Sequence, residues 1–439
     1  MKLFVTNRFY YSATALTIGF AASYFFPVLL IPVKLTFFAF MALLAADLLL
    51  LFITGGEVSC ERELPERFSN GDDNAVVLRI TNRYSFGLDV EVLDELPPQF
   101  QMRNLAIVLT VARGETRLAS YSVRPTTRGE YNFGHANLLV ITKIALVNKR
   151  FKAAQEQTVK VYPSFLHLRK YELIAFSQQQ SIEGQRKLRK IGHSMEFDHI
   201  KEYTPGDDPR HLNWQASARR GHLMINHYID EKSQPIYNVI DKSRPMKMPF
   251  EGMTLLDYAI NASLAISDIA LKKGDRAGLV TFQHKPDTIV PAQKGTKQMY
   301  VLMESLYHEK TAFTEHNFGM LYAQITAKIT SRSLLLLYTN FESLYSLERQ
   351  LKYLKLLNRK HLVLVIIFRN TELDGLITKG AGDLREVYHQ AIAQNMLNEK
   401  FAILQLLRQH GILNLYTTPQ SLTADVVNKY LELKSRRAI

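Results

Sequence analysis

The sequence predicts a mixed fold in three structured parts: a two-helix transmembrane hairpin at residues 1–55, a small β-sandwich at 56–163 and a doubly wound α/β domain at 235–439. Three patterns indicate this order. Two long stretches almost free of charge come first, short alternating polar and apolar runs follow, and continuous apolar runs between amphipathic helices complete the chain. A basic connector, residues 164–234, joins the last two parts.

Two apolar stretches predict the hairpin. No charged residue lies between Phe9 and Val33, and Asp47 is the only one in Leu35–Ile53. Each stretch approaches the roughly 20 apolar residues that a helix needs to cross a bilayer, and the prolines between them indicate a turn. Basic residues flank both outer ends, so the positive-inside rule predicts an inner (cytoplasmic) membrane protein whose soluble domains face the cytoplasm.

A cleaved signal peptide is the alternative interpretation of the first stretch. Lys2 and Arg8 would then form its charged start, and Ala21–Ser23 its cleavage region. Cleavage would leave the soluble part outside the cell.

Asp47 is a carboxylate inside the second apolar stretch, about 10 Å from the end of its predicted helix. Ionisable residues at membrane depth usually have a polar partner. We therefore expect a contact within the hairpin or in an oligomer, or else a side chain that reaches towards the lipid headgroups.

Composition narrows the possible environments. Cys60 is the only cysteine, which excludes an intrachain disulfide and a cysteine-based metal site and agrees with a reducing cytosol. The formal charge of +13 suits a protein near anionic lipids or one with an acidic partner. Nucleic acid is an alternative partner, although the basic clusters lack the interleaved aromatic residues of such sites.

Turn-forming residues separate the short runs between residues 57 and 162, which is the pattern of a β-sandwich. Continuous apolar runs typical of buried parallel strands follow at Ile236–Ile240, Ala277–Phe282, Leu334–Tyr338, Leu362–Ile367 and Ile412–Tyr416. Helical patterns lie between them near Thr254–Lys273, Lys297–Tyr307, Phe318–Ile329, Leu344–Asn358 and Leu384–His410, and another over Phe165–Ser177 in the connector. We therefore expect a ligand at the carboxyl ends of the strands.

Two hydroxyl or carboxylate side chains stand at the end of the first such strand. Asp241 and Ser243 offer the hard oxygen ligands that suit Mg²⁺. Their spacing resembles the metal-ion-dependent adhesion site of von Willebrand factor A domains, which reads Asp-x-Ser-x-Ser. Pro245 replaces the second serine, so the resemblance implies a degraded site.

The same resemblance implies ligands from two later loops. Thr311 or Thr314 would supply a hydroxyl, and Asn340 stands where an aspartate is expected. The predicted Mg²⁺ ligands are thus Asp241, Ser243, Thr314 and Asn340. In the alternative interpretation, Asp241 is only a turn or capping residue.

The connector contains an unusual passage between Lys201 and Arg219. Asp207 and Asp208 have Arg210 and Arg219 nearby in sequence, which favours carboxylate-guanidinium pairs, and Trp214 is the only tryptophan. Three roles are possible: a structural latch on the α/β domain, a surface for a partner protein, or catalysis by the aspartate pair. The residues concerned are Glu202, Tyr203, Gly206, Asp207, Asp208, Arg210, Asn213, Trp214 and Arg219.

This passage resembles the signature of the bacterial family called domain of unknown function 58 (DUF58), through Glu202-Tyr203, Pro205-Gly206-Asp207, Arg210, Asn213-Trp214 and Ser217-Ala218-Arg219. Lys201 departs from the leading arginine of that signature. The resemblance implies a MoxR-type AAA+ ATPase as partner, in a chaperone-like maturation of protein complexes. It also implies the order of hairpin, β-domain, signature and von Willebrand A-like domain.

The leading functional hypothesis is a membrane-anchored, non-enzymatic adaptor that works with this ATPase and meets membrane lipids and a client complex. Its predicted contact site is the edge near Asp241, Ser243 and Asn340, with Asp207, Arg210 and Trp214 second. A metal-dependent hydrolase using Asp207, Asp208 and Asp241 is one alternative, although the sequence has no phosphate-binding loop, dinucleotide fingerprint or nucleophile elbow. A basic nucleic-acid binder at the membrane surface is the other.

Overall fold

The computed structural model describes residues 2–102, 105–164, 195–205, 207–230, 233–309, 311–378, 383–436 and 438. The chain divides into two compact units, Met1–Tyr162 and Pro163–Ile439. Each unit has a hydrophobic core of its own. The helix predicted over Phe165–Ser177 lies outside the described residues.

The first unit opens with a short strand and two helices. Strand β1 (Lys2–Val5) precedes helix α1 (Asn7–Phe25), and a 3-10 turn at Pro27–Leu29 leads into helix α2 (Leu30–Phe52). Proline at the start of this turn cannot continue the hydrogen bonding of α1, which explains where that helix ends.

Aromatic rings hold the two helices side by side. The ring centroids of Phe9 and Phe40 are 5.6 Å apart, and those of Phe20 and Phe37 are 5.9 Å apart. The stretch Pro27–Phe52 is long and apolar enough to cross a membrane by its length and composition. An apolar N-terminal helix, as predicted, is therefore present.

Short strands follow α2 and form the predicted β-sandwich: β2 (Val58–Glu63), β3 (Arg67–Ser69), β4 (Asn74–Asn82), β5 (Leu88–Asp94), β6 (Ala106–Val111), β7 (Thr116–Val123), β8 (Gly129–Phe133), β9 (Ala136–Ile141), β10 (Val147–Ala153) and β11 (Gln157–Tyr162). They pair in the orders β1-β10-β9-β5-β6, β2-β4-β7 and β3-β11-β8. Buried positions alternate with more exposed ones along β4, which is the pattern that predicts a strand with one face on a core.

Strand β1 is an unexpected member of the sandwich. It pairs antiparallel with β10, from Lys2 opposite Arg150 to Val5 opposite Val147. These residues were predicted only as the flank of a membrane span, because four residues are too few to show a strand pattern. Both ends of the helix pair are therefore attached to the same sandwich.

A buried ion pair joins two of the sheets. Arg62 on β2 donates to both carboxylate oxygens of Asp94 on β5, and the hydroxyl of Tyr121 on β7 donates to the same carboxylate. Arg62 also donates to the carbonyl of Gly134 at 2.9 Å. A buried charge pair of this kind is tolerated because hydrogen bonds satisfy both groups.

The second unit begins with a two-stranded ribbon in which β12 (Met195–Glu202) pairs antiparallel with β13 (Met224–Asp230). A 3-10 turn at Pro209–His211 and helix α3 (Trp214–Arg220) lie between these strands. Gly221 ends α3 with a φ of 72°, a left-handed conformation that glycine adopts without strain. The signature passage is therefore a compact insertion in one hairpin.

An α/β domain completes the second unit. Its strands are β14 (Pro235–Asp241), β15 (Pro249–Phe250), β16 (Met253–Thr254), β17 (Arg276–Phe282), β18 (Pro286–Gln293), β19 (Leu334–Tyr338), β20 (Leu362–Phe368) and β21 (Leu413–Thr417). Its helices are α4 (Leu255–Lys272), α5 (Thr296–His308), α6 (Phe318–Lys328), α7 (Leu344–Lys360), α8 (Thr371–Thr378), α9 (Leu384–Gln409) and α10 (Leu422–Ser435).

The main sheet has the strand order β18-β17-β14-β19-β20-β21, and all neighbours are parallel except β17 and β18. The continuous apolar runs of the sequence form the five parallel strands, and every residue of β14 is buried. Hydrophobic clusters cover both faces of the sheet. The strand order reverses between β14 and β19, where a doubly wound sheet has its crevice.

Sequence analysis missed β18, α8 and α10. Strand β18 lies at the sheet edge and contains Pro286 and Pro291. None of its residues is fully buried, so it lacks the continuous apolar run of its neighbours. Helix α8 has only 8 residues, too few to establish a helical period.

Candidate functional site

Polar side chains meet where β14 and β19 end. Asp241 is fully buried, and its Oδ2 accepts a hydrogen bond from the hydroxyl of Thr339 at 2.6 Å. Nδ1 of His316 lies 3.1 Å from the same oxygen, and the backbone N–H of Ser243 donates to Oδ1 at 2.8 Å. The hydroxyl of Ser243 lies 3.1 Å from Nδ1 of His316. The crevice is thus occupied by a network centred on one carboxylate.

Two of the predicted metal ligands have partners other than Asp241. The hydroxyl of Thr314 donates to Oε1 of Gln283 at 3.3 Å. Oδ1 of Asn340 accepts from Nζ of Lys400 at 2.9 Å. Burial lowers the pKa of the Lys400 ammonium to about 8. The structure therefore brings Asp241 and Ser243 together, but with His316 and Thr339 in the positions predicted for Thr314 and Asn340.

This donor set does not fit the predicted Mg²⁺ site. Mg²⁺ needs oxygen ligands in near-octahedral geometry. Here Oδ2 of Asp241 already contacts the imidazole of His316, and Oδ1 of Asn340 already accepts from the ammonium of Lys400. Within the described ranges, no three His, Cys, Asp or Glu side chains form a group that could hold a metal ion.

Asp241, His316 and Ser243 also lack the geometry of a nucleophilic triad. In such a triad the imidazole contacts the serine and the aspartate through different nitrogens. Both contacts of His316 fall on Nδ1, so the ring has no separate nitrogen directed at each partner. Proton relay from serine to aspartate is not available in this arrangement.

The two signature aspartates stabilise turns. The carboxylate of Asp207 accepts from the backbone N–H and hydroxyl of Thr204 at 3.0 and 2.8 Å and from Nζ of Lys201 at 2.8 Å. These bonds, that from Lys201 foremost, lower the pKa of Asp207 to about 2. Asp208 accepts from the backbone N–H of Arg210 at 3.0 Å. The expected guanidinium pairs are therefore replaced by an ammonium, a hydroxyl and backbone amides.

Asn213 connects helix α3 to the ribbon. Its Oδ1 accepts from the backbone N–H of Ala216 at 2.9 Å and caps α3. Its Nδ2 donates to Asn226 on β13 at 2.8 Å, which attaches the helix to the ribbon. Ser217 accepts from the backbone N–H of Met224 at 2.8 Å and adds a second attachment.

Other signature side chains face solvent. Trp214 is 70% exposed at the first turn of α3, although a latch would bury it. Glu202, Arg210 and Arg219 are exposed as well, and Tyr203 is partly buried. Gly206 lies outside the described residues.

Asp47 has partners that were not predicted. Its carboxylate is fully buried and accepts from the hydroxyl of Thr142 and from the backbone N–H groups of Leu146 and Val147, both at 2.9 Å. Thr142 and Leu146 belong to the loop between β9 and β10, and Val147 is the first residue of β10. The expected contact within the hairpin, in an oligomer or with headgroups is therefore replaced by a bond to the sandwich.

A buried lysine makes a second attachment at the end of α2. Nζ of Lys149 on β10 donates to the carbonyl of Leu51 at 2.9 Å and to the hydroxyl of Tyr84 at 3.2 Å. It lies 4.9 Å from the ring centre of Phe52 and 4.7 Å from that of Phe151. Burial lowers the pKa of Lys149 and raises that of Tyr84 to about 12. A cation at a helix carboxyl end is favourable for the helix dipole.

Comparison with known proteins agrees with the signature. Residues 199–391 match the family described as "Protein of unknown function DUF58", which confirms the resemblance over that range. The uncharacterized protein YeaD of Bacillus subtilis is 24% identical over 187 residues, 43% of this chain and 44% of that protein. The uncharacterized protein Rv1480 of Mycobacterium tuberculosis is 26% identical over 104 residues, 24% of this chain and 33% of that protein. The alignments thus span less than half of these relatives.

Among the similar solved structures are two with low sequence identity and a low TM-score. BatB from Bacteroides thetaiotaomicron is 13% identical with a TM-score of 0.28, covering 45% of this chain and 98% of that chain. An aerotolerance-related membrane protein from Bacteroides fragilis is 10% identical with a TM-score of 0.26, covering 45% of this chain and 99% of that chain. TM-scores this low carry no argument about function.

Sequence reasoning missed His316 and Thr339 at the crevice. Thr339 directly precedes the predicted Asn340, so a shift of one residue separates the predicted ligand from the observed partner. His316 precedes Asn317, which accepts from the backbone N–H of Met320 and caps α6. A polar residue just before a helix cap, on the loop that joins α5 to α6, is the signal that could have identified it.

We predict that Asp47→Leu weakens the first unit, although leucine suits an apolar helix better than aspartate does. The change removes the acceptor of three hydrogen bonds, and each buried donor left unpaired costs about 1–3 kcal/mol. Hydrogen exchange of the Leu146 and Val147 amides should accelerate and the Tm should fall. The matched control is Asp89→Leu, which removes a surface carboxylate bonded to Thr110 and should change neither. Unchanged protection in Asp47→Leu would mean that the carboxylate does not hold this loop.

Proposed function

We propose that this protein is a membrane-anchored, non-enzymatic adaptor that docks a MoxR-type AAA+ ATPase in the assembly or maturation of protein complexes. One observation carries the proposal: an exposed tryptophan, Trp214, lies on a short capped helix among exposed arginines. The family resemblance suggests the ATPase, and the geometry supports a docking role for the surface.

The surface around Trp214 has the chemistry of an interface. Tryptophan and arginine are the residues most enriched among those that dominate binding energy at protein interfaces. Arg210, Arg219 and Arg220 are exposed, and no carboxylate of residues 200–205 or 207–226 pairs with their guanidinium groups. A partner with an apolar pocket rimmed by acidic side chains would complement this surface.

The edge near Asp241, Ser243 and Asn340, which the sequence predicted as the main contact site for a partner, is not accessible. Asp241 and Ser243 are fully buried and Asn340 is 6% exposed, so a partner could not touch them without opening the sheet edge. Trp214 and Arg210 are accessible. We therefore propose the Trp214 surface as the primary contact.

An adaptor accounts for the aspartates better than a hydrolase does. Asp207 and Asp208 are engaged in turn and cap hydrogen bonds, and Asp241 accepts from three donors of its own. General acid or base catalysis needs a carboxyl group directed at a substrate. The arginine-rich surface keeps nucleic acid as an alternative partner, which the purification below distinguishes.

For the membrane part, we propose two spans. Strand β1 precedes α1, and its partner β10 follows α2, so the chain between them must cross a bilayer an even number of times. If α2 spans, α1 then spans with it. Helix α1 has 19 residues, or about 28 Å at the α-helical rise, against a hydrocarbon core of about 30 Å. Helix α2 has 23 residues, and its last turns, from Leu44 onward, contact the sandwich at the membrane surface.

The same pairing supports a retained N-terminus. Signal-peptide cleavage after Ala21–Ser23 would remove β1 from the sheet and expose the edge of β10. The basic residues on the sandwich side of both helices favour a cytoplasmic sandwich. We therefore propose that the soluble domains lie in the cytoplasm.

The α/β domain is proposed to be of the von Willebrand A type. Its support is the Asp241-x-Ser243 spacing at the end of β14 and the doubly wound strand order around that strand. The neighbours of Asp241 differ from the metal site of that type.

Single-cysteine labelling should place the turn between α1 and α2 on the side opposite the sandwich. In a Cys60→Ser background, we expect Val28→Cys to react with a membrane-impermeant maleimide in intact spheroplasts. The matched variant Asp73→Cys, on the sandwich surface, should react only in inverted vesicles. Labelling of both from the same side would contradict two spans.

Purification of the full chain from native membranes should recover an AAA+ ATPase, and Trp214→Ala should lower its recovery by about tenfold or more, as expected for an aromatic hot spot. The control is Tyr345→Ala, which removes an aromatic side chain that is 69% exposed on α7. It should leave recovery unchanged. Failure to recover such an ATPase with or without Mg²⁺ and ATP would remove the main support for the adaptor, and salt-sensitive recovery of nucleic acid would favour the alternative.

A further inference from the structure

We infer that His316 takes the place of a divalent cation at the carboxyl edge of the main sheet, so that Asp241 is held by a ring N–H and not by a metal. This concerns a different part of the second unit from the proposed docking surface and does not depend on it. The inference rests on the burial of Asp241, on the position of the imidazole and on the engagement of the neighbouring carboxylates.

A carboxylate as deeply buried as Asp241 needs a strong partner. Removing an ionised carboxylate from water is costly unless hydrogen bonds or an opposite charge compensate. Nδ1 of His316 lies 3.1 Å from Oδ2 of Asp241 and 3.1 Å from the hydroxyl of Ser243. These are two of the four side chains that the sequence analysis predicted as metal ligands. The imidazole therefore stands between the predicted ligands.

Aromatic packing holds the imidazole in this position. The ring of His316 meets Phe318 edge to face at a centroid distance of 5.1 Å and Phe341 at 6.0 Å. Only 12% of the His316 side chain is exposed. The ring is thus a fixed part of the crevice, and turning it away to admit an ion would break this packing.

Two further carboxylates near this edge are already neutralised. Nζ of Lys242, the residue after Asp241, bonds Asp287 at 2.7 Å and also bonds Glu309. Lys242 is itself buried. Asp287 and Glu309 therefore serve as partners of an internal ammonium group, and no group of three His, Cys, Asp or Glu side chains in the described part of the chain could hold a metal ion.

The test is thermal unfolding of the full chain in detergent, in EDTA and in MgCl₂, MnCl₂ or ZnCl₂, together with Mn²⁺ binding followed by electron paramagnetic resonance. We expect the wild type to show the same Tm in every condition and no bound Mn²⁺. His316→Asp should lower the Tm in EDTA, because it places a second carboxylate beside Asp241, and should regain stability when a divalent cation is added.

Two further variants allow the test to be interpreted even if His316→Asp does not fold. His316→Gln retains an N–H donor without a second charge, and it should fold with no response to metal even if His316→Asp fails to fold. His308→Asp is the matched control, since His308 also bonds a carboxylate, Glu304 at 2.9 Å, but is 68% exposed. It should show no metal response. A wild-type Tm that rises with Mg²⁺, Mn²⁺ or Zn²⁺, with the rise abolished by Asp241→Asn, would overturn the inference.

Discussion

A buried carboxylate inside an apolar helix determines how the first unit is built. Asp47 could not remain unpaired among apolar side chains, and its partners come from the loop between β9 and β10 and from the first residue of β10. The later turns of α2 consequently pack on the sandwich, with Leu44, Leu48 and Phe52 against its core. Lys149 and β1 add further attachments to the same pair of helices. The apolar segment is therefore continuous with the folded domain and is not a separate flexible anchor.

The polar residues of the signature passage and the crevice divide into two groups by their hydrogen bonds. Asp207, Asp208 and Asn213 hold turns and caps, and Asp241 holds the crevice, so each has hydrogen-bond partners that fix local structure. Trp214 and the arginines of the same passage have no such role and face solvent. An exposed aromatic residue among cations has the composition of a binding surface.

The general architecture follows from patterns that are local in sequence. Alternating runs predicted the sandwich strands, because a strand with one buried face has an apolar residue at every second position. Continuous apolar runs predicted the five parallel strands of the main sheet, because a strand buried on both faces is apolar throughout. The partners of Asp47 could not be predicted in this way. Thr142, Leu146 and Val147 lie about a hundred residues further along the chain, and two of them contribute only backbone N–H groups, which any residue has. The role of His316 was hidden for a similar reason, since its contact with Asp241 spans 75 positions.

The most direct measurement is photo-crosslinking in living cells from a benzoylphenylalanine placed at position 214, with the same probe at position 345 as the reference surface. If Trp214 lies at the docking surface of an adaptor, crosslinks from position 214 should join this protein to an AAA+ ATPase, and those from position 345 should not. Crosslinks from position 214 only to this chain itself, to nucleic acid or to lipid would contradict the account.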